Sequence, residues 1–283
     1  MYNVAIIGCG RISHKIAEGV AKNSDRMKLV VLCDPIEEKM FETEKTYNKK
    51  AEKENTILKY KDYKEILKEN KVDIAIISTE SGYHEEIGLY FLENGVNLII
   101  EKPLAMSIEG AQKLVDTAKK NNLKLAASHQ NRFNYPIQLL KKAIKENRLG
   151  RIFNGMARIL WTRDDNYYLQ APWRGTWALD GGTLMNQCIH NIDLINWMMD
   201  DEIDTVYAQT SNYIRNIEAE DYGVILIRYK KGKIATIEGS AIVYPKNLEE
   251  TLTITGEKGT VVIGGMAVNK INTWRVEGDN EQE

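Results

Sequence analysis

The first twenty residues constrain the fold more than any other stretch. Asn3-Val4-Ala5-Ile6-Ile7 is a short apolar run that stops at Gly8-Cys9-Gly10, and residues 12–22 then take up helical spacing. An apolar run without alternation offers no face to water, so it belongs in a sheet covered on both sides. The unit recurs. Further strands are predicted at 28–34, 73–78, 97–101 and 123–127, and helices at 36–54, 62–69, 83–94 and 107–121. Strands joined by helices through right-handed crossovers predict an α/β Rossmann-type, doubly wound parallel sheet.

The pattern changes near Gly150. After a helix over 135–147, longer strand-like runs follow at 151–161, 205–214, 222–229, 233–243, 250–255 and 260–263. One helix, 183–199, interrupts them. Lys230-Lys231-Gly232-Lys233 and Gly256-Glu257-Lys258-Gly259 suit hairpin turns. The second half is expected to be an α+β domain with a large, mainly antiparallel open sheet, the two domains dividing at 1–128 and 129–283. The polar end, 278–283, is expected to fray.

Composition removes several classes of function. The chain has 283 residues and a net charge of −2, with no block of like charge, so nucleic acid and membrane surfaces are not expected partners. Three cysteines, Cys9, Cys33 and Cys188, stand in no metal-ligand spacing, so neither a metal site nor a disulfide framework is expected. The chain enters a strand at once rather than a signal peptide, and no apolar run reaches the roughly 18 residues of a membrane span. The expectation is a soluble protein of the reducing cytoplasm.

The glycine turn suggests a ligand. Gly8 permits a tight turn, Gly10 leaves room for a pyrophosphate against the backbone, and Ser13 takes the third small position. The anion would rest on the N–H groups and positive dipole end of the following helix. Asp34 closes the second strand, near the usual ~20-residue distance for an acid that reads a ribose. A carboxylate there accepts hydrogen bonds from both ribose hydroxyls and repels a 2′-phosphate. Pro35-Ile36-Glu37-Glu38 brings no arginine, so NAD is expected rather than NADP. The competing reading of Asp34 is a helix N-cap.

Two further elements carry chemistry. Glu101-Lys102-Pro103 lies at the carboxyl end of a strand, the edge where open α/β sheets bind ligands, and the proline stiffens the turn that aims Lys102. An ammonium in a partly dry cleft polarises a hydroxyl and assists its deprotonation. Asp180-Gly181-Gly182-Thr183 precedes the helix of the second half. Asn186, His190, Asp193 and Trp197 recur along it at spacings of four, three and four, which predicts one helical stripe. A helical histidine is more often an interior residue than a catalyst, but this stripe is polar in an otherwise apolar helix.

Together these residues resemble the Gfo/Idh/MocA family of NAD(P)-dependent oxidoreductases. The matching pieces are Gly8-Cys9-Gly10, Ser78-Thr79-Glu80-Ser81-Gly82-Tyr83-His84, Glu101-Lys102-Pro103 and the segment from Gly181-Gly182 to His190-Asn191-Ile192-Asp193. Three other segments, Gln130-Asn131-Arg132-Phe133-Asn134, Ala171-Pro172-Trp173-Arg174-Gly175-Thr176-Trp177 and Leu184-Met185-Asn186-Gln187, are similar to the UDP-N-acetyl-2-amino-2-deoxyglucuronate 3-dehydrogenases within it, as is Gly264-Gly265-Met266-Ala267-Val268-Asn269. That resemblance implies NAD-dependent oxidation of the sugar C3′ hydroxyl of a UDP-linked uronate, in the synthesis of diacetamido uronic acids for surface polysaccharide. It implies a first domain for NAD and a second for substrate and for assembly into a homodimer or homotetramer. It leaves open whether 2-oxoglutarate recycles NADH in place.

Carried over by position, the resemblance implies that Gly8, Gly10, Arg11, Ile12 and Asp34 line the NAD. So do Ser78, Thr79, Glu80, Ser81, Gly82 and His84, then Glu101 and Lys102, and finally Gln130, Trp173 and Arg174. Lys102 and His190 would flank the reacting carbon. Many family members have an aspartate four residues before the histidine; here the residue is Asn186, which can orient a substrate but cannot take a proton. A uronate also needs a cation, and Arg163, with Tyr167 nearby, is the candidate beside Lys102, Asn186 and His190. The family usually extends some tens of residues past Glu283, so a C-terminal truncation is expected. The rival readings are an NAD-dependent dehydrogenase of another sugar or inositol, and a non-catalytic NAD-binding regulator on the same scaffold.

Overall fold

The computed structural model describes residues 1–279 and divides into two compact units, Met1–Ser128 and His129–Glu283. In the first, β1 (Tyr2–Ile7), α1 (Ser13–Lys22), β2 (Met27–Cys33), α2 (Glu37–Ala51) and β3 (Leu58–Tyr60) are followed by α3 (Ile66–Glu69) and β4 (Ile74–Ile77). Then come α4 (His84–Glu93), β5 (Asn97–Glu101), α5 (Ile108–Lys120) and β6 (Leu125–Ser128). The six strands run parallel in the order β3-β2-β1-β4-β5-β6. β1 shows why its sequence is uniformly apolar: Val4 and Ile6 enter one core with residues of α1 and α2, while Ala5 and Ile7 enter another with residues of α4 and α5. All four are at most 2% exposed, so neither face of the strand meets water. Chain order reverses at β1, which lies between β2 and β4, and this switch point opens a crevice at their carboxyl ends. Ser107 caps α5, its hydroxyl accepting the Gly110 N–H at 2.9 Å, a contact worth about 1 kcal/mol.

The second unit contains α6 (Tyr135–Lys145), β7 (Ile152–Leu160), α7 (Asp165–Leu169), α8 (Thr183–Asn186) and α9 (Ile189–Met199). Its remaining strands are β8 (Ile203–Ser211), β9 (Tyr222–Tyr229), β10 (Ile234–Ser240), β11 (Glu249–Gly256), β12 (Gly259–Gly264) and β13 (Lys270–Val276). They form a seven-stranded sheet, β13-β12-β11-β7-β10-β9-β8, antiparallel except where β7 meets β10. α6 and α9 cover one face through Ile137, Leu140, Leu194, Ile195 and Met198. A Cβ on Gly155 would stand 2.3 Å from the Met199 side chain, so glycine is what lets α9 settle on β7. The opposite face is open; along one row Met156, Leu226 and Tyr207 are 46%, 44% and 64% exposed.

Local differences from the expected elements have local causes. The helix predicted over 183–199 is two helices. The Thr183 carbonyl accepts both the Gln187 and Cys188 N–H groups at 2.9 Å, and the ladder restarts from the Cys188 carbonyl. β3, α7 and β13 are additional elements. The polar end is anchored as far as Asp279, which pairs with Arg148 and accepts the Trp274 indole N–H at 2.8 Å; the expected fraying of 280–283 lies outside the described residues. Among the described residues no helix is long and apolar enough to cross a membrane.

Candidate active site

Four loops meet at the carboxyl edge of the first sheet. Gly8 has φ +91°, and a Cβ there would stand 2.6 Å from the Ser78 and Thr79 backbone, so only glycine lets the β1 loop lie against the β4 loop. The Ser78 hydroxyl donates to the Gly8 carbonyl at 2.7 Å across the same contact. A Cβ on Gly10 would meet nothing within 4 Å. The N-cap position of α1, Ile12, supplies no side-chain acceptor, and its first turn holds no acid. Open space above a glycine and an uncapped helix start suit a bound pyrophosphate. Ser13 donates to the Gly10 carbonyl at 2.7 Å and holds the turn from inside.

Asp34 is 6% exposed. Its Oδ2 accepts the Cys9 N–H at 2.8 Å and its Oδ1 the Ile36 N–H at 2.9 Å. It does not cap α2, whose N-cap is Ile36. Each carboxylate oxygen keeps a second lone pair for a ribose hydroxyl. Cys9 and Cys33 sit beneath, and burial pushes both thiols up to about 12, which makes them poor nucleophiles.

Lys102 follows β5 and is half-buried. The Lys102–Pro103 peptide is cis. The turn is braced by His84, whose Nδ1 lies 2.7 Å from the Pro103 carbonyl and whose Nε2 lies 3.2 Å from that of Thr79. Burial holds the His84 imidazole below its usual range, and at 1% exposure its ring serves the two loops. The Glu101 carboxyl is pushed up by burial and held by the Ser128 hydroxyl. The segment from Ser78 to Gly82 faces the same edge, with Ser81 buried and Thr79, Glu80 and Gly82 half-buried. Arg11 and Ile12 are exposed at the start of α1.

In the second unit, α8 and α9 organise the polar residues. His190 stands in the first turn of α9, with Asp193 and Trp197 on the same face. Asn186 ends α8 and hydrogen-bonds to Asp180, which is 2% exposed and accepts the Gly175 N–H at 2.8 Å. Gln187 donates to the Asn186 amide oxygen at 2.8 Å and to the Tyr167 hydroxyl at 3.2 Å. The Arg163 guanidinium lies 4.7 Å from the Trp161 ring centre and 5.2 Å from that of Tyr167, and donates to Gln187 at 3.1 Å. Arg174 stacks on Tyr167 at 4.3 Å and on Trp173 at 4.7 Å. Gln130 is exposed on a 3-10 turn, Gln130–Phe133. The structure thus joins Arg163, Tyr167 and Asn186 through Gln187. Sequence reasoning quoted Asp180 and Gln187 within segments but gave neither a role, and it did not reach His129. Asp180 stands just before a Gly-Gly helix start, which is a readable signal; no local pattern marks Gln187 as the residue that joins Arg163, Tyr167 and Asn186.

Residues 2–129 match the oxidoreductase family with an NAD-binding Rossmann fold, and residues 137–262 match the GFO/IDH/MocA C-terminal domain. The chain belongs to the GFO/IDH/MocA oxidoreductase family. It is an NAD-dependent sugar or polyol dehydrogenase. The WlbA dehydrogenase from Bordetella pertussis, solved with NADH and UDP-GlcNAcA, is 35% identical, with a TM-score of 0.91 over 99% of this chain and 83% of that one. The WlbA dehydrogenase from Chromobacterium violaceum, in complex with the same two ligands, is also 35% identical, with a TM-score of 0.89 over 99% and 78% of the two chains. Myo-inositol 2-dehydrogenase from Thermotoga maritima is 24% identical over 282 residues, 98% of this chain and 79% of its own length.

Proposed function

We propose that this member of the family oxidises the C3′ hydroxyl of a UDP-linked N-acetylglucosaminuronate to the ketone. The observation that carries this reading is Arg163. Its guanidinium is held by two aromatic rings, the Gln187 amide and the Thr162 carbonyl, and among the described residues no carboxylate pairs with it. A planar cation fixed by neutral partners suits a ligand carboxylate bound in bidentate fashion. The 35% identity to two dehydrogenases solved with UDP-GlcNAcA supports the same substrate.

NAD supplies the hydride acceptor, and the loops around Gly8, Gly10 and Asp34 are the ones suited to hold it. His190 takes the hydroxyl proton on an imidazole nitrogen, a task suited to a group whose ordinary pKa is near 6.5. Lys102 stabilises the developing alkoxide with its ammonium. Asn186, tied to Asp180, orients the sugar without exchanging a proton. Trp173 and Arg174, stacked together, are assigned to the cofactor.

The test is turnover by the full chain with UDP-GlcNAcA, myo-inositol and UDP-N-acetylglucosamine in parallel, following NADH absorbance and product mass. A product two mass units lighter from the uronate alone supports the reading. Preference for inositol or the neutral sugar overturns the substrate, and no turnover with any substrate despite bound NADH points to a regulator. Adding 2-oxoglutarate asks whether bound NADH is reoxidised in place.

A further inference from the structure

The turn at 129–132 meshes with the face of α9 that carries His190. His129 and Arg132 are three residues apart and joined by the Arg132 N–H to His129 carbonyl bond at 3.1 Å, and both side chains approach Asp193. His190, Asp193 and Trp197 form the facing stripe. Arg132 donates through Nε and Nη2 to the two oxygens of Asp193 at 2.6 and 2.5 Å, and its guanidinium lies 4.9 Å from the Trp197 ring centre. His129 Nδ1 stands 3.8 Å from Asp193 Oδ2. Its ring meets that of His190 at 90°, with centres 5.9 Å apart.

An imidazole turns broadly about its second side-chain bond, yet a base must present one nitrogen within about 10–20° of the productive direction. Arg132 occupies both oxygens of Asp193, and the 3.8 Å from His129 Nδ1 to Asp193 Oδ2 is beyond a hydrogen bond, so the Arg132–Asp193 pair confines the His129 ring by packing beside it. An edge-to-face ring contact at 5.9 Å then acts by shape. We propose that His129 is a positioning residue for His190: its ring sets the plane of the His190 imidazole and is itself held by the Arg132–Asp193 pair. This inference rests on the reading of His190 as the proton acceptor.

The test uses steady-state kinetics of the full chain with UDP-GlcNAcA. His129→Ala lowers kcat by about 10- to 100-fold, the order lost when a reacting group is misplaced by about 1 Å. KM values for sugar and NAD stay within about twofold, because binding groups are untouched. His129→Phe restores the ring edge and recovers most of the lost kcat. The double variant His129→Ala/His190→Ala is no slower than His190→Ala, since one residue acts through the other. Should His129→Ala fold poorly, His129→Asn, which also lacks the ring, makes the same comparison. An inactive His190→Ala beside a fully active His129→Ala overturns the inference alone. So does a His129→Phe no better than His129→Ala, or losses that add in the double variant. A fully active His190→Ala overturns the reading of His190 and the inference with it.

Discussion

The Asp34 carboxylate holds the Cys9 N–H at 2.8 Å, tying the end of β2 to the glycine loop after β1. The acid expected to read the ribose therefore also shapes the loop expected to receive the pyrophosphate. Asp34→Asn places an amide donor against one of two backbone donors, Cys9 N–H or Ile36 N–H. NADH affinity is expected to fall about tenfold or more, with the NADH over NADPH preference narrowing, since charged hydrogen bonds contribute about 1.5–3 kcal/mol. Fluorescence titration with both cofactors checks this; an unchanged ratio would place the selection elsewhere.

The two glycines of the loop separate by experiment. Gly8→Ala forces a Cβ to 2.6 Å from the backbone at Ser78 with φ at +91°, so it should cost more than about 1 kcal/mol of stability. Gly10→Ala meets nothing within 4 Å. It should melt like the wild type yet bind NADH more weakly. Parallel melting curves and NADH titrations decide, and equal NADH affinity for Gly10→Ala would remove the pyrophosphate from that spot.

Lys102→Ala should lower kcat by about 10²- to 10⁴-fold, the usual span for a group assisting proton transfer, while NADH binding stays within a few-fold. Stopped-flow measurement of the first turnover isolates the chemical step. A normal first turnover would take Lys102 out of the reaction.

Arg163→Met should raise KM for the uronate by about tenfold or more, equivalent to losing a charged hydrogen-bonded pair. A neutral sugar nucleotide with a hydroxymethyl group should be unaffected. Equal changes for both substrates would show that Arg163 only packs against Trp161 and Tyr167.

The inner strands of the first sheet were legible because β1, β2 and β4 are largely buried on both faces, which writes them as continuous apolar runs such as Val4–Ile7, whereas the edge strand β3, with Leu58 exposed, carries no such run. The carboxyl-edge loops followed from the inner strands. The second sheet was legible as strands but not as an order. Its strands are half-exposed, and nothing in the residues of β7 or β10 marks their parallel pairing. The break between α8 and α9 was hidden because helical periodicity survives it on paper. Its packing involves Cys188 against Gly239, where a Cβ would stand 2.3 Å from the sulfur. Arg132 and Asp193 are 61 residues apart, and no local rule couples them.

Glu250 offers a test of pH dependence. It is 4% exposed, its Oε2 has no hydrogen-bond partner among the described residues, and burial pushes its carboxyl up to about 7 from 4.5. The folded state thus holds a proton that the unfolded state releases, so this group's contribution is fully present below pH 4.5 and is lost as pH rises through about 7. Glu250→Gln should raise Tm at pH 8, by about 2–4 °C per kcal/mol relieved, and change it little at pH 4.5. Thermal melts across that range check this, and a pH-independent difference would contradict a charge effect.

The shared carbonyl of Thr183 divides α8 from α9. Asn186 is tied to Asp180 at the end of the four-residue helix α8, which sits on the sheet through Leu184, whereas His190 stands on the longer helix α9. On the proposed roles, orientation of the sugar by Asn186 and removal of its proton by His190 fall on two different helices. Diversification of substrate and preservation of chemistry need not compete for the same turn of helix.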